Sequence, residues 1–148
     1  MLSRRTVLIA ISTMMIARPT YASRQLPNVL AYRNPGCGCC ENWAKLMERA
    51  GFPIKMIDDP DLAARRGTLG VPEQLAGCHL AQIGRYVIDG HVPVEDILRL
   101  LNEQPSAMGL AVPGMPLGSP GMETTSEPEK YEVFIFYADG KHKVFSRH

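Results

Sequence analysis

A proline- and glycine-rich segment near the C-terminus sets the strongest limit on how this 148-residue chain can fold. Residues 105–128 carry nine Pro or Gly in 24 positions. Because proline lacks a backbone donor and glycine weakens regular structure, we expect neither helix nor sheet to persist there. The segment also holds six Met, Leu and Val residues, which a flexible polar linker would not. We therefore expect it to lie extended against a folded domain.

The residues before this segment alternate short apolar runs with amphipathic stretches. Strands are predicted at 29–32, 53–57, 75–83 and 85–88. Helices are predicted at 41–50, at 93–101, and from the Asp-Asp-Pro-Asp sequence at 58–61 to about residue 66. This β-α-β-α-β-β-α order is typical of a small thioredoxin-like α/β domain, which we place at 23–104. Trp43 is expected to pack the first helix on the sheet. Residues 129–148 predict a β-hairpin that turns at Asp139-Gly140.

The first 22 residues have the composition of an export signal. Arg4 and Arg5 precede a mainly apolar stretch at 7–17, and Thr20 and Ala22 provide small residues at the two positions that a signal peptidase recognises. Since eleven helical residues fall far short of the roughly 30 Å core of a bilayer, cleavage near Ala22 is predicted rather than a membrane anchor. The arginine pair leaves both twin-arginine and general secretory export open. We expect a periplasmic protein that meets the membrane only during export.

The charge balance excludes one broad class of function. The chain has 16 Lys+Arg and 15 Asp+Glu, a net charge of +1, and no basic block. Removal of residues 1–22 takes away three arginines and no acid, which leaves a net charge of −2. A nucleic-acid partner, which would need a concentration of positive charge, is therefore not expected.

The chemistry is concentrated at Cys37-Gly38-Cys39-Cys40, between the first predicted strand and the first predicted helix. Free N–H groups and the dipole at a helix start lower the pKa of nearby thiols and favour thiolate. A dithiol exchanger needs one attacking and one resolving sulfur, and a third neighbour invites scrambling. Three thiolates on one turn instead suit a metal ion, because its charge offsets their repulsion.

Soft donors elsewhere in the chain indicate which metal. Cys78-His79 follow Val71-Pro72, and a proline at that place in a thioredoxin-like fold is often cis and faces the helix-start cysteines. His91 follows the next strand, and Met108, Met115 and Met122 are spaced by seven residues. Thiolate, thioether and imidazole together favour Cu(I), whereas a structural zinc site has no use for methionine. Two structural disulfides, a zinc site and, for the methionines, simple core packing stay open as alternatives.

Six pieces of sequence carry a family resemblance. They are 37–40, 70–72, 78–79, 86–93, 109–116 and 118–123. Residues 32–123 thereby resemble a family of exported bacterial proteins long labelled a domain of unknown function, which includes the CopG-type copper-resistance proteins. Ala76-Gly77 and Leu80 depart from the Ser and Thr of that pattern, which alters surrounding hydrogen bonds but removes no ligand.

The resemblance implies a thioredoxin-like fold, copper binding at the cysteine cluster and a role in copper redox conversion. It implies the following metal-site residues: Cys37, Cys39, Cys40, Cys78, His79, His91, Met115 and Met122.

These observations lead to the hypothesis of an exported copper-binding protein of copper resistance. The thiolate cluster would hold Cu(I), including more than one ion, because sulfur can bridge metals. Two outcomes stay open: a sequestering or relay protein that works with other periplasmic copper-handling proteins, or a copper oxidoreductase that interconverts Cu(I) and Cu(II). No catalytic residue is assigned. The rival hypothesis is a thiol-disulfide oxidoreductase acting on protein partners, with Cys37 attacking and Cys40 resolving.

The export hypothesis predicts the N-terminus of the mature protein. When the full chain is produced in a bacterium that exports it, we expect the periplasmic form to begin at Ser23. N-terminal sequencing and intact-mass measurement check this. Retention of residues 1–22 in the exported protein would contradict it.

Overall fold

A computed structural model describes residues 25–148, and the predicted export signal lies outside these residues. The strands are β1 (Val29–Arg33), β2 (Ile54–Asp58), β3 (His79–Ile83), β4 (Tyr86–Asp89), β5 (Gly109–Ala111), β6 (Glu132–Phe136) and β7 (His142–Arg147). The helices are α1 (Gly38–Arg49), α2 (Leu62–Thr68) and α3 (Val94–Glu103), with a 3₁₀ turn at Glu73–Leu75. No helix within 25–148 is both long and apolar enough to span a bilayer.

The seven strands form one mixed sheet in the order β2-β1-β3-β4-β5-β6-β7. Strand β1 runs parallel to β2 and antiparallel to β3, and α1 makes the β1–β2 crossover. Helix α3 makes a second crossover between the parallel strands β4 and β5. The β-α-β-α-β-β-α order and the α/β class predicted from the sequence are therefore confirmed.

Helices cover both faces of the sheet, and each face has its own apolar cluster. Trp43 and Met47 of α1 pack with α3 on one face, so the packing role predicted for Trp43 is confirmed. Leu62 of α2 packs on the opposite face. Successive strand residues alternate between the two clusters, as Ile88 and Val87 do in β4. This alternation follows from the two-residue period of a strand.

The chain before β3 differs from the prediction. A strand was expected over 75–83, but the 3₁₀ turn ends at Leu75 and pairing begins only at His79. Pro72 starts that turn, and Leu75 donates its N–H to the Pro72 carbonyl. All peptide bonds within 25–148 are trans, including the one before Pro72. The segment that carries Cys78 is thus a link between turn and strand.

The Pro/Gly-rich segment lies against the domain, as expected, but the expectation that no sheet persists in it is wrong. Strand β5 occurs where three residues without proline, 109–111, lie between β4 and β6. Leu110 and Val112 are fully buried. A Cβ at Gly109 would overlap the Val87 carbonyl, so only glycine allows this close approach.

The C-terminal hairpin is confirmed, and it completes the sheet. Strands β6 and β7 pair antiparallel around the predicted turn, where Gly140 donates its N–H to the Tyr137 carbonyl at 3.0 Å. Strand β6 also pairs with β5, so the hairpin is an extension of the main sheet. Its residue Phe136 is fully buried.

The close packing at Gly109 predicts that alanine substitution there and at an unpacked glycine will change stability in opposite directions. Gly109→Ala should lower the free energy of unfolding by about 1–3 kcal/mol or more, because its methyl group meets backbone atoms that cannot move independently. Gly67→Ala is the matched control, since Gly67 lies exposed in α2 with open space around it. It should raise stability by up to about 1 kcal/mol through helix propensity. Urea unfolding measures both, and equal effects of the two substitutions would contradict this packing.

Candidate metal centre

Three of the four cysteines lie where β1 passes into α1. A turn at Asn34–Gly36 ends the strand, and Cys37 donates its N–H to the Asn34 carbonyl at 3.2 Å. Cys37 is the residue immediately before α1, while Cys39 and Cys40 lie in its first turn. The predicted position of the cysteines at a helix start is therefore confirmed.

The fourth cysteine, Cys78, joins them from the link before β3. Its Sγ lies 3.2 Å from the Sγ atoms of Cys37 and Cys39 and 3.3 Å from that of Cys40. All four sulfurs lie within 4.8 Å of one another. We call these residues the four-cysteine cluster. It brings together side chains about 40 positions apart in the sequence.

The cluster combines one disulfide with two free thiols. Cys37 and Cys40 are bonded, whereas Cys39 and Cys78 are free and partly exposed. The alternative of two structural disulfides is not what the structure contains, because the second pair is unbonded. Two-electron reduction of the Cys37–Cys40 bond would bring the number of free thiols in the cluster to four.

Two histidines lie beside the cluster in the protein interior. His79 and His91 are both fully buried, and their rings are 5.0 Å apart in a T-shaped arrangement. The ring of His79 also lies 4.4 Å from that of Trp43. Together with Cys78, the two histidines offer ligand atoms that all lie within 4.8 Å of one another. Cys78 therefore belongs to two candidate ligand groups.

The hydrogen bonds of these imidazoles are incomplete. The Pro120 carbonyl lies 2.7 Å from His91 Nδ1 and can only accept, so Nδ1 carries the proton and Nε2 a lone pair. His91 Nε2 and both ring nitrogens of His79 have no hydrogen-bond partner among the described residues. Buried polar atoms without partners cost stability, and metal ligation would remove that cost.

Burial sets the protonation of these groups. It lowers the pKa of His79 well below its ordinary value, with His91 and Arg66 acting in the same direction. Burial also lowers the pKa of His91, against the opposing effect of the Pro120 carbonyl. Both imidazoles are therefore neutral at pH 7, the form in which histidine binds metals.

The pKa of the Cys78 thiol shifts in the opposite direction to that expected for a thiol at a helix start. Burial raises its pKa to about 12, and the neighbouring Cys39 adds to the increase. Cys78 itself precedes strand β3, although its sulfur contacts those of Cys37 and Cys39 at the start of α1. A metal that binds there must displace the proton.

Of the predicted methionines, two have their backbone beside the cluster. Met115 follows Gly114, which donates its N–H to the Ala76 carbonyl at 3.0 Å and bridges Gly77. Met122 follows Gly121, where a Cβ would meet the Cys39 carbonyl at 2.8 Å. Met115 is 55% exposed and Met122 is partly buried. Met108, by contrast, packs against the apolar cluster around Phe136 and Leu62.

Sequence reasoning missed a buried ion pair next to the cluster. Arg66 of α2 and Asp89 at the end of β4 contact each other and the backbone of Gly77, beside Cys78. The available signal was a carboxylate closing an apolar strand, because a charge at such a position needs a partner. Burial raises the pKa of Asp89, while Arg66 and the Gly77 N–H act against that increase.

The buried imidazoles predict how stability depends on pH. Since the unfolded pKa of histidine is about 6.5 and the folded one is lower, the neutral rings stabilise the fold above that pH and stability falls as the pH drops below it. Urea unfolding of the metal-free protein should give a lower free energy at pH 5.5 than at pH 7.5. His79→Leu should reduce this difference, with His91 left to contribute. An undiminished difference in His79→Leu would contradict the assignment.

Part of the chain matches a known protein family. Residues 75–122, which include Cys78, His79, His91, Met115 and Met122, match the family described as protein of unknown function DUF411. No curated protein sequence matches the chain.

Two solved structures of a copper resistance protein, CopG form 1 and CopG form 2, share its fold. Each is 36% identical to this chain, covers 83% of it over 98% of its own length, and superposes with a TM-score of 0.79. Identity at this level over nearly the whole of the relative shows common family membership as well as a common fold. The four-cysteine cluster, which is capable of metal binding, and these relatives together support a copper-related role. The chain belongs to the DUF411 family of CopG-type copper resistance proteins.

Proposed function

We propose that this protein is a periplasmic copper-binding protein of copper resistance that holds Cu(I) at the four-cysteine cluster. One observation carries the proposal. Four sulfurs within 4.8 Å of one another lie beside two buried imidazoles whose free nitrogens have no hydrogen-bond partner among the described residues. Such a set of atoms is costly to bury and becomes favourable when a soft metal ion is bound.

The donor types favour copper over zinc. Thiolate and imidazole bind both copper and zinc, whereas the thioethers of Met115 and Met122, whose backbone lies beside the cluster, suit Cu(I) and are not zinc ligands. A closed structural zinc site would need four ligands in one tetrahedron, whereas here six donor residues fall into two groups that share Cys78. Because a thiolate can bridge metals, the shared sulfur supports the binding of more than one copper ion.

The Cys37–Cys40 bond supports a redox role as well as storage. Reduction of this disulfide to two thiols takes up two electrons and two protons. Oxidation of two Cu(I) ions to Cu(II) releases two electrons, so the two half-reactions balance. The neutral imidazoles of His79 and His91 supply nitrogen donors, which Cu(II) accepts more readily than Cu(I) does. The protein would thus interconvert the two copper oxidation states.

The remaining parts of the proposal concern the methionines, the roles of the chain segments and the partners of the protein. Met115 and Met122 would act as further ligands at the edge of the cluster, since their backbone lies beside Gly77 and Cys39. Residues 1–22 would direct export, 23–104 form the metal-binding domain, 105–128 carry the methionines and 129–148 form the hairpin. Other periplasmic copper-handling proteins would deliver or accept the ion.

A second candidate function is thiol-disulfide exchange with protein partners. The bond between Cys37 and Cys40 is the observation that favours it, because these are the attacking and resolving positions of a redox dithiol. The free thiols of Cys39 and Cys78 do not favour it, because additional thiols in contact with the bonded pair invite scrambling.

The copper proposal predicts a ligand-specific loss of affinity. Reduced protein without residues 1–22 should bind Cu(I) stoichiometrically under anaerobic conditions, measured by competition with a chromogenic Cu(I) chelator. Cys39→Ser should weaken binding by at least about 100-fold, since loss of a group that merely supports a ligand already costs about 10–100-fold. Met115→Leu and Met122→Leu should also weaken binding, while Met108→Leu, in the apolar core, should not.

Three results would contradict the proposal: absence of tight stoichiometric binding, Cys39→Ser with unchanged affinity, or equal effects of all three methionine substitutions. Insulin reduction tests the second candidate on the same variants. Activity that is lost in Cys37→Ser and retained in Cys39→Ser would favour exchange over copper binding.

A further inference from the structure

A closed ring of hydrogen bonds holds the backbone immediately before Cys78. Arg66 Nε donates to Asp89 Oδ2 at 2.7 Å, and Arg66 Nη2 donates to the Gly77 carbonyl at 2.7 Å. The Gly77 N–H donates to Asp89 Oδ1 at 2.6 Å. Both polar groups of Gly77 are therefore bound by one charged pair, which is itself withdrawn from water: the Asp89 side chain is fully buried and that of Arg66 is 14% exposed.

Cys78 itself lies between two restrained neighbours, because Gly77 bridges Gly114 and His79 is the first residue of β3. Strand β3 begins at His79, which pairs with Arg33, so Cys78 lies just outside the sheet ladder. The preceding 3₁₀ turn has already ended at Leu75. Gly77 is packed so closely against Gly90 and Val112 that a Cβ there would meet the Gly90 Cα at 2.5 Å. The ion pair adds to this bridge and packing, because it binds the N–H and the carbonyl of Gly77 directly.

We propose that Arg66 and Asp89 are positioning residues that hold the Cys78 sulfur among the other three. This inference rests on the proposed copper-binding function and assigns it two residues that donate no ligand atom. A buried ion pair stabilises a fold no better than apolar residues of similar size, so stability alone does not account for its place here. What it does that apolar residues cannot is bind both the N–H and the carbonyl of one peptide residue next to Cys78.

Arginine is the residue type best suited to this positioning role. Its planar guanidinium presents several N–H groups in a fixed arrangement and can bond two acceptors at once. Lysine would keep the positive charge beside Asp89 but would lose the fixed pair of directions. Arg66→Lys therefore separates positioning from charge, and it avoids leaving the Asp89 carboxylate buried without a counter-charge.

The first experiment measures Cu(I) affinity by chelator competition in Arg66→Lys and Arg66→Gln. We expect affinity to fall about tenfold in Arg66→Lys and further in Arg66→Gln, with a changed copper–thiolate absorption band. Arg65→Gln is the matched control, since Arg65 lies next to it in α2 but pairs with Asp59 and stacks on Tyr32. Wild-type affinity and absorption in both Arg66 variants would overturn the proposal.

A second experiment tests the positioning without copper. In the form that keeps the Cys37–Cys40 disulfide, Cys39 and Cys78 are the free thiols, 3.2 Å apart. Phenylarsine oxide binds two neighbouring thiols at once, with loss of one water molecule. Its affinity should fall about tenfold in Arg66→Lys and stay unchanged in Arg65→Gln. If wild-type protein binds the arsenical but not Cu(I), the proposed copper-binding function is wrong. The arsenical affinities of Arg66→Lys and Arg65→Gln then still decide whether Arg66 positions Cys78.

A stability control distinguishes positioning from general loosening of the fold. Ile135→Val removes one methylene from the apolar core in β6, a strand that carries no residue of the four-cysteine cluster. It should lower the unfolding midpoint and leave both affinities unchanged. If Ile135→Val weakens copper and arsenical binding as much as Arg66→Lys does, the positioning role is wrong.

Discussion

The structure depends on one constraint, which is that a partly exposed group of four sulfurs adjoins two fully buried imidazoles, and three of the four imidazole nitrogens have no hydrogen-bond partner among residues 25–148. Four sulfurs and two imidazoles meet where the start of α1 faces the link before β3. Burial raises the pKa of the Cys78 thiol and lowers that of both histidines, so the buried groups are neutral when no ion is bound. A bound cation would offset part of the free energy that burial of these groups costs, because it would form bonds to them.

The fold brings these atoms together by joining two structural units. The parallel β1–α1–β2 unit presents Cys37, Cys39 and Cys40, and the antiparallel β3–β4 hairpin presents His79 and leads to His91. The Pro/Gly-rich segment then closes over both, because Gly114 bridges Gly77 and the Pro120 carbonyl accepts from His91. Its glycines allow contacts at backbone distance that a side chain would block.

Much of this could be predicted from the sequence, and the exceptions have physical causes. Hydrophobic periodicity and turn residues were enough to predict the order of strands and helices. The position of Cys37 between the first strand and the first helix followed from that order. Strand β5 was missed because its pairing depends on Gly109 meeting a distant strand, which local composition does not reveal. The Arg66–Asp89 pair was missed for a similar reason: its partners are 23 residues apart and meet only in the folded chain.

The central claim is that copper binds to the sulfurs of the four-cysteine cluster with help from the buried imidazoles. Copper K-edge X-ray absorption of the reduced, Cu(I)-loaded protein tests it most directly. The account predicts a first coordination shell dominated by sulfur, with outer-shell imidazole scattering that is lost in the His79→Leu/His91→Leu double variant. A shell of oxygen and nitrogen alone would contradict it.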